Sequence, residues 1–240
     1  MSILQVKGVG KNFGALAALS EVDLHLEQGE ILGVIGPNGS GKTTLFNVMT
    51  GIHRPSAGRV IFQGRDITGL ATHHICRAGL VKTAQIVQPF TGMSVLENVM
   101  VGGCYGKGLS LARARSEARE ILYKVGLEEA ADKPAGSITV AMRRRLELAR
   151  CLATGPRVIL LDENMAGLTP AEIASVLDLL RALNREGLSL IVVEHIMQAV
   201  MGLSQRVVVL DYGVKIAEGR PEEIVKNPKV IEAYLGEEYA

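Results

Sequence analysis

The chain has 240 residues, which is enough for one α/β domain, with or without a modest subdomain, around a sizeable core. Hydrophobic residues make up 48% of it and charged residues 21%, as in ordinary globular proteins, but aromatic residues make up only 4%, so the core must be aliphatic. The formal net charge of +1 excludes the strongly basic character that proteins binding nucleic acid or anionic lipid usually display.

Three cysteines, Cys76, Cys104 and Cys151, are widely spaced and form no CxxC pair, which indicates structural thiols in a reducing compartment. The sequence begins without the long apolar stretch of a secretion signal, and no run of roughly 18 apolar residues occurs anywhere. We therefore expect a protein that is made and kept in the cytoplasm and does not itself cross a bilayer.

Residues 1–85 are predicted to form short apolar strands separated by glycines. The strands are ILQV near the start, EILGVI at 30–35, RVIF at 59–62 and GLV at 79–81. One helix is predicted among them, beginning at about Gly41.

Residues 86–155 change character, because strand patterns give way to helical ones. Ser94 and Glu97 have the spacing of a capping box, and residues 110–125 are rich in Arg, Glu and Ala. We therefore expect a helical subdomain over 86–155, inserted between two parts of one core, 1–85 and 156–240.

Apolar strands return in the last third of the chain. They are predicted at 158–161, 188–193 and 206–210, with a helix capped by Thr169-Pro170-Ala171-Glu172 and a short final helix from Asn227. Their apolar residues are continuous rather than alternating, which indicates burial on both faces and hence a mainly parallel sheet.

A glycine-rich segment follows the strand at 30–35 directly and opens the predicted helix, as the phosphate-loop pattern GxxxxGK[ST] requires. Glycines let successive N–H groups point into one concavity, and the helix adds roughly half a positive charge at its N-terminus. The pattern predicts a nucleotide-phosphate site in which Lys42 reaches the β- and γ-phosphates and the Thr43 hydroxyl binds Mg²⁺. The alternative is a glycine-rich turn that binds nothing. The segment consists of Gly36, Pro37, Asn38, Gly39, Ser40, Gly41, Lys42, Thr43 and Thr44.

Two acidic residues, Asp162 and Glu163, end the strand that begins near Arg157, at the edge where ligands lie in open α/β sheets. Asp162 suits a carboxylate that holds the Mg²⁺ shell through water, and Glu163 could orient and deprotonate an attacking water. A strand ending in Asp-Glu is, taken alone, more often a solvated terminus. The phosphate loop favours the catalytic interpretation.

His195 follows the strand at 188–193 and would lie at the same sheet edge, although a lone histidine there is usually structural. The other histidines, for which we predict no role in the site, are His25, His53, His73 and His74.

The order of these motifs resembles the ATP-binding cassette (ABC) superfamily across nearly the whole chain. The series comprises the phosphate loop, Gln85, the helical insert, Asp162-Glu163, Ala166-Gly167-Leu168 and His195. More narrowly, the chain is similar to the ATPases of branched-chain amino-acid importers. That similarity rests on GPNGSGKTTLFNVMTG at 36–51, RRLELAR at 144–150, AGL at 166–168, VEH at 193–195 and AYLG at 233–236.

The resemblance implies a fold and several site residues. The fold is a P-loop NTPase core of the RecA-like type, with antiparallel β elements on its N-terminal side and the helical subdomain inserted. The implied roles are adenine stacking by Phe13, sensing of the γ-phosphate and Mg²⁺ by Gln85, catalysis by Glu163 and γ-phosphate contact by His195. Phe13 is as often a core residue at such a position, and Gln88 competes with Gln85. The segment 85–101 would face a membrane partner.

The sequence departs from the family at two places. The family's signature, LSGGQ or LSYGQ, falls on Ile138-Thr139-Val140-Ala141-Met142. Thr139 keeps the hydroxyl, but Ala141 places a methyl group where backbone must approach phosphate closely. Asn164 stands where the family usually has proline after the catalytic glutamate.

In such transporters two cassettes enclose ATP between one phosphate loop and the other's signature. The resemblance therefore implies an ATPase with ATP and Mg²⁺ as ligands, working on the cytoplasmic face of the membrane. Its partners would be transmembrane permease subunits, a second ATPase subunit and, indirectly, a solute-binding protein, but no nucleic acid. The degenerate signature predicts an asymmetric heterodimer, with a homodimer as the alternative.

Other interpretations stay open at this point. The solute could be a branched-chain amino acid, urea, another amide or an aromatic acid. The chain could also be a non-transport cassette ATPase of DNA repair or translation, although it lacks their tandem cassettes and coiled coils. A module that binds ATP without hydrolysing it is a third interpretation.

Overall fold

A computed structural model describes residues 2–84, 88–163, 165, 167–194 and 196–238, with side chains through residue 234. The predicted site residues Gln85 and His195 lie outside the described residues, as do Asn164 and Ala166 of the segment after the acidic pair. No helix in the described ranges is long and apolar enough to span a membrane.

A mainly parallel sheet forms the centre of the described structure, with the strand order β10-β9-β3-β8-β7-β6. Every residue of β3, β7 and β8 is buried, so their continuous apolar sequences correspond to burial on both faces. Only β10 pairs antiparallel within this sheet, and the prediction of a mainly parallel core is confirmed. The strands are β3 (Ile31–Ile35), β6 (Leu80–Lys82), β7 (Val158–Asp162), β8 (Ser189–Val193), β9 (Arg206–Asp211) and β10 (Val214–Gly219).

A second sheet, entirely antiparallel, lies at the N-terminal side, as the predicted fold class requires, and has the order β2-β1-β4-β5. The long strand β2 has no counterpart among the predicted strands. Its apolar residues alternate with polar ones, because one face is buried and the other is solvated. The strands are β1 (Ser2–Phe13), β2 (Leu16–Glu27), β4 (Ala57–Phe62) and β5 (Arg65–Asp66).

Helices surround the parallel sheet. The prediction of one helix in residues 1–85 is wrong, because α2 follows α1 there. With seven residues and only Ile75 buried, α2 is too short for an apolar periodicity to be visible. The helices are α1 (Lys42–Met49), α2 (Thr72–Ala78), α6 (Pro170–Arg185), α7 (Met197–Leu203), α8 (Pro221–Ile224) and α9 (Pro228–Glu238).

Three helices between the two parts of the core share an apolar cluster of their own: α3 (Val95–Gly106), α4 (Leu111–Lys124) and α5 (Val140–Ala153). The predicted capping box at the start of α3 is present, since Ser94 Oγ accepts from the amide of Glu97 and the Glu97 carboxylate accepts from the amide of Ser94. The division into 1–85, 86–155 and 156–240 stays a prediction.

Candidate functional site

The phosphate-loop segment connects β3 to α1, and its glycines are required by geometry. Gly36 has a φ of +150°, and a Cβ there would lie 2.0 Å from the carbonyl oxygen of Leu210. Gly41 has a φ of +101°, and a Cβ there would lie 2.8 Å from the carbonyl oxygen of Ala18. Side chains at either position would push the loop away from β9 or β2, so only glycine allows this close packing.

Lys42 begins α1, and its ammonium turns back into the loop. Its Nζ donates to the carbonyl oxygens of Gly36 and Pro37, each at 2.7 Å, and to Ser40 Oγ at 3.2 Å. The side chain is buried. A positive charge is therefore held inside the loop, next to the helix N-terminus, where both favour a bound anion.

A cavity of about 400 Å³ lies over this loop. Its lining brings together Phe13, the loop residues 38–44 and Glu163, which are far apart in sequence. Tyr212, which sequence reasoning missed, also lines it. A space of this size with one charged end and aromatic residues at its rim suits a nucleotide.

Tyr212 is held at the cavity by the turn between β9 and β10. The residue has a φ of +43° and is 87% exposed. The next residue, Gly213, donates its amide to the Ser40 carbonyl at 3.1 Å and accepts from the Ser20 amide at 2.9 Å. The turn is therefore fixed against the phosphate loop.

Phe13 ends β1 at the rim of the cavity and is 43% exposed, so it is not a core residue. The ring of His53 meets it edge-on at 5.2 Å between centroids, and the Lys11 ammonium lies 4.9 Å from its centroid. His53 thus contacts a predicted site residue, although the sequence indicated no role for it. The exposed ring is available for stacking, and that role stays a prediction.

Asp162 ends β7 with its side chain wholly buried, at 0% exposure. Its amide donates to Thr83 Oγ1 at 3.1 Å, and its Oδ2 lies 2.8 Å from the Lys82 ammonium. Its Oδ1 is buried and receives no hydrogen bond from the described part of the chain. An oxygen with this unused capacity fits the shell of a hydrated Mg²⁺. Thr43 lines the cavity, whereas Asp162 is not among the residues that line it.

Glu163 follows with a φ of +49°, in the left-handed region that residues other than glycine rarely adopt. Its side chain is partly exposed and lines the cavity, unlike the buried Asp162. Backbone strain of this kind is concentrated at functional sites. The two acidic residues of the predicted pair are thus turned to different surroundings.

Two buried glutamates, to which the sequence analysis gave no role, accept hydrogen bonds from backbone amides of other segments. Glu147 Oε1 on α5 accepts from the amide of Ala84 at 3.0 Å, and Glu194 Oε1 accepts from the amide of Met165 at 2.8 Å. No local pattern distinguishes them, because a glutamate inside an amphipathic helix or after a strand usually faces solvent.

The degenerate signature forms the start of α5. Thr139 is the N-cap, and its Oγ1 accepts from the amide of Met142 at 3.3 Å. Ala141 lies in the first turn and is partly exposed, while Ile138 is buried. Residues 138–142, all of them described, do not line the cavity of their own chain.

A larger cavity of about 750 Å³ lies between α4 and the C-terminal end of α6. Charged residues such as Lys107, Glu117, Lys124 and Glu186 line it and pair with one another. It contains none of the predicted site residues, so the smaller cavity at the phosphate loop is the candidate site.

Comparison with known proteins agrees with this geometry. Residues 19–166 match the family model for the ABC transporter, and residues 214–240 match the model for the branched-chain amino acid ATP-binding cassette transporter. The chain is 40% identical to the high-affinity branched-chain amino acid transport ATP-binding proteins BraF of Pseudomonas aeruginosa and LivG of Escherichia coli, covering 98% of each chain in both cases. It is 34% identical to the lipopolysaccharide export system ATP-binding protein LptB of Acidithiobacillus ferridurans, over 99% of this chain and 98% of LptB.

Solved structures give the same result. The chain resembles a nucleotide-free ATP-binding cassette from an ABC transporter, with a TM-score of 0.89 and 31% identity, and the ADP conformation of such a cassette, with a TM-score of 0.89 and 32% identity. Both comparisons cover 98% of this chain and 99% of the other. The chain therefore belongs to the ABC transporter family, as an ATP-binding subunit of the branched-chain amino acid type, and it is an ATPase.

Proposed function

We propose that the chain energises the uptake of branched-chain amino acids, or of a related small solute, through separate membrane subunits. The observation that carries this proposal is a single cavity lined by an exposed aromatic ring, a phosphate loop with a buried ammonium, and a glutamate. The match of residues 214–240 to the branched-chain amino acid type supports the choice of solute class.

Hydrolysis would depend on positioning and on charge stabilisation. The loop amides and Lys42 would take the developing charge of the phosphoryl group, and Glu163 would orient and deprotonate the attacking water. Thr43, Gln85 and Asp162 would hold Mg²⁺, which neutralises phosphate charge when bound. Gln85 and His195 would have the roles that the resemblance implies: Gln85 would sense the γ-phosphate and Mg²⁺, and His195 would contact the γ-phosphate.

The membrane partner would dock on an apolar groove of the helical segment. A cavity of about 690 Å³ there is lined mainly by apolar side chains of α3 and α4. Phe90 is exposed, accepts a hydrogen bond from the amide of the lining residue Met93 at 3.0 Å, and belongs to the segment 85–101 that we predicted to face the permease. We propose that this surface receives a helix of the permease at the cytoplasmic face of the membrane. Members of the lining are Met93, Met100, Cys104, Tyr105 and Leu111.

The helical segment would transmit movement of this surface to the signature at the start of α5. Arg150 on α5 lies over the Phe90 ring at 5.1 Å and pairs with Glu147 at 2.8 Å, and Glu147 in turn binds the Ala84 amide. These contacts attach α5 to both sides of residues 85–87. We propose, from the apolar cluster that α3, α4 and α5 share, that residues 86–155 act as one subdomain within the 1–240 cassette.

A second ATPase subunit would complete the assembly. Ala141 carries a methyl group in the first turn of α5, at the position where the family has glycine against the other cassette's γ-phosphate. We propose a heterodimer in which this signature weakens the site on the partner's phosphate loop. A homodimer of this chain alone that hydrolyses ATP as fast as the assembled importer would contradict the heterodimer.

Reconstitution tests the proposed function. The chain is co-purified with candidate permease subunits, placed in proteoliposomes with a solute-binding protein, and assayed for ATPase activity with and without leucine. We expect stimulation by the permease and by leucine-loaded binding protein, with urea, amides and aromatic acids tested in the same assay. An ATPase that responds to nucleic acid and not to the permease would overturn the proposal.

A further inference from the structure

Lys82 and Asp162 form an ion pair at the carboxyl edge of the parallel sheet. Lys82 ends β6 and Asp162 ends β7, and these strands are parallel neighbours. The Lys82 Nζ lies 2.8 Å from Asp162 Oδ2, with exposures of 12% and 0% for the two side chains. The pair is therefore almost completely removed from water.

The same ammonium also contacts the helix that follows the phosphate loop. Lys82 Nζ donates to Asn47 Oδ1 at 3.0 Å and lies 5.8 Å from the centroid of the Phe46 ring. Both residues belong to α1, which begins at Lys42. Lys82 thus connects the carboxylate of β7 to the helix that carries the phosphate-binding groups.

Neutralisation alone would explain an ion pair here, because a buried carboxylate without a partner is strongly unfavourable. The positions of the two Asp162 carboxylate oxygens indicate a role beyond neutralisation, because their surroundings differ. Both oxygens are buried and accept no hydrogen bond from the described residues, but Oδ2 lies at ion-pair distance, 2.8 Å, from the ammonium. The Thr83 hydroxyl holds the Asp162 amide at the same time. Backbone and side chain are both fixed, so Oδ1 is left to face another ligand.

We propose that Lys82 is a positioning residue that orients Asp162 so that Oδ1 meets the hydration shell of the nucleotide-bound metal. This inference rests on the proposed function, in which Asp162 serves Mg²⁺. Groups that orient the ligands of a metal affect its affinity by about 10-fold to 100-fold when they are removed. Lys82 would act before hydrolysis begins, so its effect can be measured as a change in metal affinity.

Metal binding is measured with Mn²⁺ as the probe, by electron paramagnetic resonance, on the full chain saturated with ADP. We expect Lys82→Met to weaken Mn²⁺ binding about tenfold, while the affinity for ADP in EDTA stays unchanged. Lys124→Met is the matched control, because it removes an ion pair with Glu186 that is exposed on both sides. That variant should bind Mn²⁺ like the unaltered protein.

A double-mutant cycle separates positioning from other effects. If Lys82 acts through Asp162, Lys82→Met should have no further effect on Mn²⁺ affinity in the Asp162→Asn background. Equal losses in both backgrounds, unchanged or tighter Mn²⁺ binding, or a parallel loss of metal-free ADP binding would each overturn the proposal. An unaltered protein that binds no ADP would instead refute the proposed function.

If Lys82→Met fails to fold, Asn47→Ala is used instead. This variant removes the hydrogen bond between the Lys82 ammonium and Asn47 but keeps both charges of the ion pair between Lys82 and Asp162. We expect Mn²⁺ binding to weaken about twofold or more in that variant. Unchanged Mn²⁺ affinity in folded Asn47→Ala would overturn the proposal.

Discussion

The amide of Glu163 donates to the carbonyl oxygen of Val193 at 2.9 Å, which ties the end of β7 to the end of β8. The bond forms while Glu163 holds a φ of +49°, so the neighbouring strand supports an unfavourable backbone conformation. The side chain is thereby directed to the nucleotide cavity rather than along the strand.

From this placement we predict that Glu163→Gln binds ATP with nearly normal affinity but loses roughly 10²-fold or more of its turnover. The amide keeps the shape and the backbone conformation but cannot accept a proton from water. ATP affinity and phosphate release are measured on the same preparation, with Glu120→Gln on the exposed surface of α4 as the control. Near-normal turnover would remove Glu163 from the catalytic role.

The elements that were predictable from sequence depend on local patterns. Continuous apolar runs identified the buried strands β3, β7 and β8, and the glycine spacing identified the phosphate loop. The strand β2 was missed because polar residues separate its apolar ones, and α2 because seven residues give no visible period. These failures come from exposure on one face and from short length.

The candidate site could be predicted from sequence where its residues lie next to one another in the chain. Contacts such as Ala84 with Glu147, or Gly213 with Ser40, join segments that only the tertiary fold brings together. Lys82 is an intermediate case. It follows the predicted strand at 79–81, and neighbouring parallel strands end at the same edge of the sheet. That signal could have placed Lys82 near Asp162.

A glycine comparison tests the shape of the phosphate loop. Gly36→Ala should abolish nucleotide binding, because the new Cβ would lie 2.0 Å from the Leu210 carbonyl oxygen. Gly29→Ala is the matched control: its φ of +76° is also positive, but nothing lies within 4 Å of an added Cβ. We expect that control to lose only about 1 kcal/mol of stability, the cost of a Cβ in the left-handed region. The ATP affinities of the two variants are measured by calorimetric titration. Equal affinities would show that the close approach of Gly36 to the Leu210 carbonyl is unimportant.

Cysteine reactivity tests the proposed permease surface. Burial raises the pKa of the Cys151 thiol above its ordinary range, so little thiolate forms. Cys104 is partly exposed in the apolar groove. In a Cys76→Ser background we expect iodoacetamide to modify Cys104 at least about tenfold faster than Cys151, by mass spectrometry. Bound permease should protect Cys104, and undiminished alkylation in the complex would place the permease elsewhere.

Acid sensitivity is expected at the start of α6. The amide of Thr169 donates to the Glu172 carboxylate and lowers the pKa of Glu172 below its ordinary value of 4.5. A depressed pKa in the folded state means that the stabilisation is present at neutral pH and is lost as the pH falls below about 4.5. Glu172→Ala should therefore have a lower midpoint of urea unfolding than the unaltered protein at pH 7. The two midpoints should approach each other near pH 3. A constant difference across this range would contradict the assignment.

Restoring the glycine of the signature tests the proposed asymmetry. Ala141 is in the first turn of α5, whose N-cap hydroxyl, Thr139 Oγ1, is already used by the amide of Met142. Ala141→Gly removes the methyl group that would keep backbone from the phosphate of the opposite cassette. In the assembled heterodimer we expect ATPase activity to rise about threefold, which corresponds to a barrier lowered by about 0.7 kcal/mol. The rise should persist when this chain also carries Glu163→Gln, because the repaired signature faces the partner's phosphate loop. A rise that disappears in the double variant would mean that the signature serves a site built on this chain's own phosphate loop, as in a homodimer.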